Sequence, residues 1–179
     1  MTPVRWREEP IGKGHPRDAF DCGDADLNRY LRKFARQNHE SGGAKTFVAV
    51  SIEDRRILGF YSLTPAVAGY DQAPESLRKG LGRHDVPGYR LARLATDVSV
   101  QGRGLGGELL MAAGRRCVQV TGEVGGIALY IDAKNEIVVA RYERFGAVRL
   151  ADTPEERRSI PMAIALKTIA AALNATGKP

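Results

Sequence analysis

The stretch Gln101-Gly102-Arg103-Gly104-Leu105-Gly106-Gly107, QGRGLGG, packs four glycines into seven positions. It follows residues 89–96, YRLARLAT, which read as a buried strand. It opens an apolar run over roughly 105–120 that reads as a helix. A glycine-rich turn between a strand and a helix brings the backbone close to a ligand. The helix N-terminus then offers unpaired N–H groups and the positive end of its dipole to anionic oxygens. Two fingerprints fit the same letters. Gly102, Gly104 and Gly107 satisfy G-x-G-x-x-G, the dinucleotide pattern. Gln101, Gly104 and Gly106 satisfy R/Q-x-x-G-x-G/A. No G-K-S/T follows, which excludes a Walker loop. A turn without any ligand is the plain alternative.

The surrounding chain arbitrates. A dinucleotide domain needs an acid at the end of the next strand, and Asp132 ends the predicted strand Ile127–Asp132. Asp132 lies further from the glycines than the usual ~20 residues. About one βα unit follows the loop, where a doubly wound domain needs more. The loop also comes after a hairpin rather than after the first strand. Topology therefore disfavours the dinucleotide reading.

Working outward, residues 24–40, DADLNRYLRKFARQNHE, read as one amphipathic helix with Asp24 as N-cap. Leu27, Tyr30, Leu31, Phe34 and Ala35 form its apolar face. Arg29, Arg32, Lys33 and Arg36 share the opposite face, either as a solvated surface or as a cationic stripe suited to a phosphate backbone. Ser41-Gly42-Gly43 ends this helix. Thr46–Ser51 and Ile57–Val67 read as a hairpin across the turn Glu53–Arg56. A short helix is predicted at Glu75–Gly80, a helix over Asn135–Phe145 and a short strand at Ala147–Leu150. Pro161–Ile169 reads as a strand, or as a strand running into a helix. The expectation is one mixed α/β domain spanning residues 1–179, without repeat or linker.

Composition bounds the class. The chain has 179 residues, of which 43% are hydrophobic and 27% charged, as in ordinary globular proteins. No run of 18 apolar residues exists, and the first twenty residues lack an apolar segment, so neither a transmembrane helix nor a secretory signal is expected. Cys22 and Cys117 stand far apart, which fits free thiols in a reducing cytoplasm. His15, His39 and His84 lack metal-ligand spacing, so no metal is expected. A net charge of +6 favours polyanionic partners without specifying one.

The second fingerprint resembles motif A of the GCN5-related N-acetyltransferases (GNAT). That resemblance implies a single α/β domain: a central mixed, mostly antiparallel twisted sheet flanked by helices, with acetyl-CoA in a splayed-strand cleft. The strand residues Leu94, Ala95 and Thr96 would pair with the pantetheine arm. The loop amides of Gln101, Gly102, Arg103, Gly104, Leu105, Gly106 and Gly107 would hold the pyrophosphate. The family usually carries arginine where this chain has Gln101. Downstream, Asn135 and a helix ending Tyr142-Glu143-Arg144-Phe145-Gly146 also match the family order. Tyr142 is implied as the acid for the CoA thiol, and Asn135 as a pantetheine contact or a helix N-cap.

The N-terminal half is similar to a narrower subgroup, the acetyltransferase toxins of bacterial toxin–antitoxin pairs. The matching residues are Phe20-Asp21-Cys22-Gly23, Leu27-Asn28-Arg29-Tyr30-Leu31, Ala35-Arg36-Gln37-Asn38 and Ser41 to Val48, then Gly59-Phe60-Tyr61-Ser62-Leu63 and Arg93-Leu94-Ala95. The implied substrate is the α-amino group of an aminoacyl-tRNA, whose acetylation halts translation. The implied partners are a ribbon–helix–helix antitoxin, operator DNA through that antitoxin, and a second copy of the chain in a homodimer. Under this reading Arg29, Arg32, Lys33 and Arg36, with Arg78, Lys79, Arg83, Arg90 and Arg93, are candidates for tRNA contact. An α-amine with a pKa near 7.7–8.0 is partly neutral at physiological pH, so it needs little base catalysis. Two other functions stay open: acetylation of a small amine or a protein N-terminus, and a non-catalytic CoA- or nucleic-acid-binding module.

Overall fold

The computed structural model describes residues 2–151 and 158–177. Its strands are β1 (Trp6–Pro10), β2 (Lys45–Ser51), β3 (Ile57–Ala68), β4 (Val86–Thr96), β5 (Ala128–Ala133), β6 (Val148–Arg149) and β7 (Ile160–Ala165). Its helices are α1 (Ala25–Lys33), α2 (Ala35–Ser41), α3 (Glu75–Arg78), α4 (Leu105–Val124), α5 (Glu136–Glu143) and α6 (Leu166–Ala175). The strand order is β1-β2-β3-β4-β5-β7-β6 in one seven-stranded sheet. The β4–β5 pair is parallel, while β1–β2, β2–β3, β5–β7 and β6–β7 are antiparallel. This is the mixed, mostly antiparallel sheet expected of the fold. By contact density the chain forms two compact units, residues up to Thr64 with Ala92–Ala113, and Pro65–Leu91 with the residues from Gly114 on. Strands β3 and β4 and helix α4 each run from one unit into the other.

In the first unit the hairpin and α1 bury a common apolar layer. Alternation on β2 and β3 turns Val48, Val50 and Phe60 to the face that packs with Phe20, Leu31 and Ala35. Phe20 meets Phe60 edge-on, with centroids 5.6 Å apart. Each such buried ring or Leu side chain contributes about 1.5–3 kcal/mol. Asp24 caps α1 as expected, accepting from the amides of Asp26 and Leu27 at 3.0 and 3.1 Å.

Two departures from the sequence reading fall in this unit. The single helix 24–40 is two helices that meet at Phe34. Ala35 is fully buried, while Phe34 is 42% exposed and stacks under the Arg29 guanidinium at 5.6 Å. The kink lets the small residue enter the core and turns the ring outward, so Phe34 does not belong to the apolar face. Strand β1 was not expected, because WREEP carries only one large apolar side chain and is short and charged, as edge strands are. It is fixed by its ladder from Trp6↔Ser51 to Pro10↔Phe47 and by Tyr61, whose hydroxyl donates to Glu8 at 2.7 Å.

In the second unit β5 is central, antiparallel to β7 from Ala128↔Ala165 to Ala133↔Ile160 and parallel to β4 from Gly88↔Ala128 to Leu91↔Ile131. Gly88 is required by close approach: a Cβ there would run into the Ala128 carbonyl and stand 3.0 Å from the Tyr130 ring. Tyr130 in turn donates to the Val86 carbonyl at 2.6 Å. The C-terminal stretch takes the second of its two expected forms, a strand running directly into a helix.

Candidate active site

The parallel ladder stops at Leu91↔Ile131, and the last five residues of β4, Ala92–Thr96, run on beyond it. The glycine loop follows. Gly102 and Gly104 sit at φ 77° and 88°, a region where L side chains are strained. A Cβ at either position would meet nothing within 4 Å, so backbone conformation rather than crowding demands glycine. The amides of Gly107 and Glu108 turn back to the Gly104 carbonyl at 3.1 and 3.2 Å. Leu105 and Gly106, the first two residues of α4, have no helical carbonyl four positions back, so their N–H groups face outward. Leu105, Leu109, Leu110 and Ala113 are buried and fix the helix behind this cradle. Backbone N–H groups at the start of a helix are suited to hold an anion.

Gln101 proves to be a brace. Its side-chain nitrogen donates to the Thr96 and Cys22 carbonyls, both at 2.9 Å. Arg103 donates to the Thr2 carbonyl at 2.8 Å. A second set of bonds locks the turn Phe20–Gly23 onto the loop base. Asp97 accepts the Asp21 amide at 3.1 Å and both the amide and hydroxyl of Ser99, at 3.0 and 2.6 Å. Asn28 accepts from the Cys22 amide and donates to the Asp21 carboxylate, at 2.9 and 2.8 Å. Sequence reasoning passed over Asp97. An acid between a strand and a glycine loop could have signalled it.

Burial alone would raise the Asp97 pKa, but the hydrogen bonds from Ser99 and the Asp21 amide outweigh it and hold the carboxyl below its ordinary value. A depressed folded-state pKa contributes stability that is complete above the unfolded value of about 3.9 and is lost as pH falls below it. Asp97→Ala should therefore cost about 2 kcal/mol at neutral pH, from unpaired backbone and hydroxyl donors. The difference from wild type should shrink in acid. Chemical denaturation at pH 7 and pH 3 checks both parts.

Tyr142 is half-buried near the end of α5. Burial pushes its phenol above the ordinary 10.0 and outweighs the opposing Arg141 charge, and among the described residues no hydrogen bond to the hydroxyl offsets this. The group is therefore protonated at neutral pH. Asn135 caps α5, its side-chain oxygen accepting the Val138 amide at 3.0 Å.

The basic candidates separate by what holds them. Arg32 donates to the Phe20 carbonyl at 2.9 Å, and Arg36 pairs with Glu40 at 2.7 Å. Arg29 and Lys33 are exposed on α1. Arg90 pairs with Asp132 at 2.5 Å, so the acid that completed the dinucleotide pattern is engaged by an arginine. Arg78 lies over the Tyr70 ring at 4.9 Å and, with Lys79 and Arg83, lines a cleft of about 380 Å³ that also contains Asp71 and Glu75. Arg93 lies over the Tyr30 ring at 4.1 Å.

Cys22 and Cys117 are both free, and burial pushes the Cys117 thiol to about 12, so it is inert. Among the described residues no cluster of His, Cys, Asp and Glu is arranged to hold a metal ion, and no helix is long and apolar enough to cross a membrane.

A mixed sheet with a strand–glycine-loop–helix segment after a strand that outruns its ladder defines an α/β protein with a helix N-terminus open to an anion. Residues 6–147 match the acetyltransferase (GNAT) family, and the chain belongs to it. It is 39% identical over 127 residues to the tRNA-acetylating toxin of Mycobacterium tuberculosis (strain ATCC 25618 / H37Rv), covering 71% of this chain and 75% of that protein. Its fold matches a crystal structure of a tyrosine-to-phenylalanine mutant of KacT with a TM-score of 0.83 and 28% identity, covering 94% of this chain and 99% of the other. It also matches a mutant of the toxin AtaT bound to the C-terminus of the antitoxin AtaR and acetyl-CoA, with a TM-score of 0.75 and 22% identity, covering 94% and 98%.

Proposed function

We propose that this chain is the toxin of a toxin–antitoxin pair, an N-acetyltransferase that acetylates the α-amino group of aminoacyl-tRNA. The observation that carries the reading is the glycine cradle at the start of α4, with two outward amides and a base braced by Gln101 and Asp97. This donor set fits the pyrophosphate of acetyl-CoA, because it offers N–H groups at a helix N-terminus. Acetyl-CoA supplies an activated thioester. Leu94, Ala95 and Thr96 offer the backbone edge for its pantetheine arm, and Asn135 shapes the start of α5. Tyr142 holds a proton at its phenol oxygen and delivers it to the departing thiolate, whose pKa by analogy with cysteine lies near 8.5. The acceptor amine arrives partly neutral and its nitrogen bonds to the thioester carbonyl carbon; as the C–S bond breaks, the proton shed by that nitrogen replaces the one Tyr142 gives to the thiolate, so no dedicated carboxylate base is needed. Arg29, Arg32, Lys33, Arg36, Arg78, Lys79, Arg90 and Arg93 supply the cationic surface for the RNA.

The tRNA substrate is supported by the similarity to the tRNA-acetylating toxin. The resemblance to the toxin subgroup further implies a ribbon–helix–helix antitoxin, operator binding through that antitoxin, a homodimer, a cytoplasmic site of action, and residues 1–179 working as one acetyltransferase domain. Thiol release from acetyl-CoA, followed with and without charged tRNA, tests the reading. Release that requires the charged tRNA, with the acetyl group recovered on the amino acid, is the expected outcome. Release with polyamines but not with charged tRNA would instead mark a small-amine enzyme. No release with any acceptor would mark a binding module.

A further inference from the structure

The glycine loop and the first turn of α4 carry two charged side chains, Arg103 and Glu108, and the N-terminal segment holds both. The Arg103 guanidinium donates to the Thr2 carbonyl at 2.8 Å. The Trp6 indole N–H donates to the Glu108 carboxylate at 2.6 Å, across 102 positions of sequence. The sheet sets this reach. Glu8, Ala49 and Gly59 stand side by side on β1, β2 and β3. A Cβ on Gly59 would run into the Leu109 side chain and stand 3.5 Å from that of Leu105, so this face of the sheet packs on α4. Trp6 lies two residues before Glu8 on β1, and its side chain points to the same face. Its backbone is fixed by the ladder partner Ser51 and by the bond from the Ile52 amide to the Arg5 carbonyl at 3.3 Å. Glu108 is exposed, and the indole is its one side-chain partner among the described residues.

A carboxylate in the first turn of a helix is drawn to the same unpaired N–H groups and positive dipole end that suit a bound anion. The Glu108 Cβ leans toward the helix N-terminus, as every helical Cβ does, and this brings the cradle within reach of an untethered side chain. Glu108 is thus a competitor for the cradle built into the chain. We infer that Trp6 is a positioning residue for the coenzyme: its indole N–H holds the Glu108 carboxylate against β1 and so keeps an intramolecular anion out of the cradle. The inference rests on the reading of the cradle as the pyrophosphate site of acetyl-CoA. The tie of Arg103 to Thr2 places the other charge of this region on the same segment, so residues 2–6 set the charge around the loop.

The test is equilibrium titration of wild type, Trp6→Phe, Glu108→Gln and the Trp6→Phe/Glu108→Gln double variant with acetyl-CoA, with thermal unfolding as the folding control. Trp6→Phe keeps an aromatic ring and loses the N–H donor. It should raise the Kd for acetyl-CoA about three- to tenfold at low salt, and the excess over wild type should fade as added salt screens the carboxylate. Glu108→Gln should bind within about twofold of wild type, because the wild-type carboxylate is already held aside. The double variant should also stay within about twofold, so the two changes are non-additive. In steady state the Trp6→Phe loss should lie in the KM for acetyl-CoA and not in kcat. Trp6 is the one tryptophan of the chain, so its indole N–H gives a single proton resonance. A charge-assisted bond should hold that resonance downfield in the wild type, and Glu108→Gln should move it upfield. Wild-type affinity in Trp6→Phe, a loss that persists in the double variant, or an indole resonance unmoved by Glu108→Gln would each overturn the inference while leaving the cradle as the coenzyme site. Wild-type acetyl-CoA affinity in a Gly104→Val variant would overturn the cradle reading itself.

Discussion

Tyr142→Phe is expected to lower acetyl transfer by about 10²- to 10³-fold while leaving the fold and acetyl-CoA affinity near wild type. The change removes one oxygen from a half-buried ring whose hydroxyl has no hydrogen-bond partner among the described residues, so folding loses little. On the proposed mechanism, what is lost is the proton for the departing thiolate. Burial holds the phenol above its ordinary 10.0, which keeps that proton in place across the physiological range. The sign of the pH dependence follows. Activity should rise as the acceptor α-amine loses its proton, through pH 7–8 or below. It should fall only as pH climbs through the raised phenol pKa, above 10. The variant should lose the upper limb and keep the lower one. A kcat profile from pH 6 to 10.5, with equilibrium binding of acetyl-CoA alongside, checks each part. Turnover by Tyr142→Phe within threefold of wild type would remove Tyr142 from the mechanism.

Gly104→Val should weaken acetyl-CoA binding at least tenfold. Gly104 sits at φ 88°, where a β-branched residue costs roughly 1–3 kcal/mol of strain. The backbone relieves that strain by rotating, and rotation moves the carbonyl that the Gly107 and Glu108 amides grip. On the proposed mechanism the amides of Leu105 and Gly106 then no longer align on the pyrophosphate. No neighbour stands within 4 Å of a Cβ at this position, so the core is untouched and the loss should appear in binding more than in unfolding temperature. Gly122→Ala is the matched control. Gly122 is exposed inside α4 with nothing near its Cβ and no positive φ, so alanine should leave binding unchanged and stabilise the helix by about 0.5–1 kcal/mol. Calorimetric titration with acetyl-CoA separates the two.

Period and punctuation made most of the framework legible. Alternating apolar residues marked β2 and β3, Asp24 marked the start of α1, and four glycines between strand and helix marked the cradle. These signals are local, because side-chain direction repeats every two residues in a strand and every 3.6 in a helix. The features that sequence missed depend on distant partners. Strand β1 exists because β2 offers it an edge. The kink at Phe34 exists because Ala35 fits the core and a ring does not.

The same division runs through the site. From its letters alone the chain determined a glycine cradle for an anion, a tyrosine in the α5 helix and a cationic stripe, since each rests on residue type and short spacing. Tertiary structure decided what those residues do. Gln101 braces the loop base through Cys22, 79 positions away, and Asp97 reaches Asp21 across 76. Asp132, which completed the dinucleotide pattern, is claimed by Arg90 from the neighbouring strand. Arg36 is paired with Glu40, while Arg93 has no carboxylate partner among the described residues and is set over Tyr30. Spacing along a chain assigns a charge to a face. Only the packed fold assigns that charge its partner, because partners are chosen by distance in space.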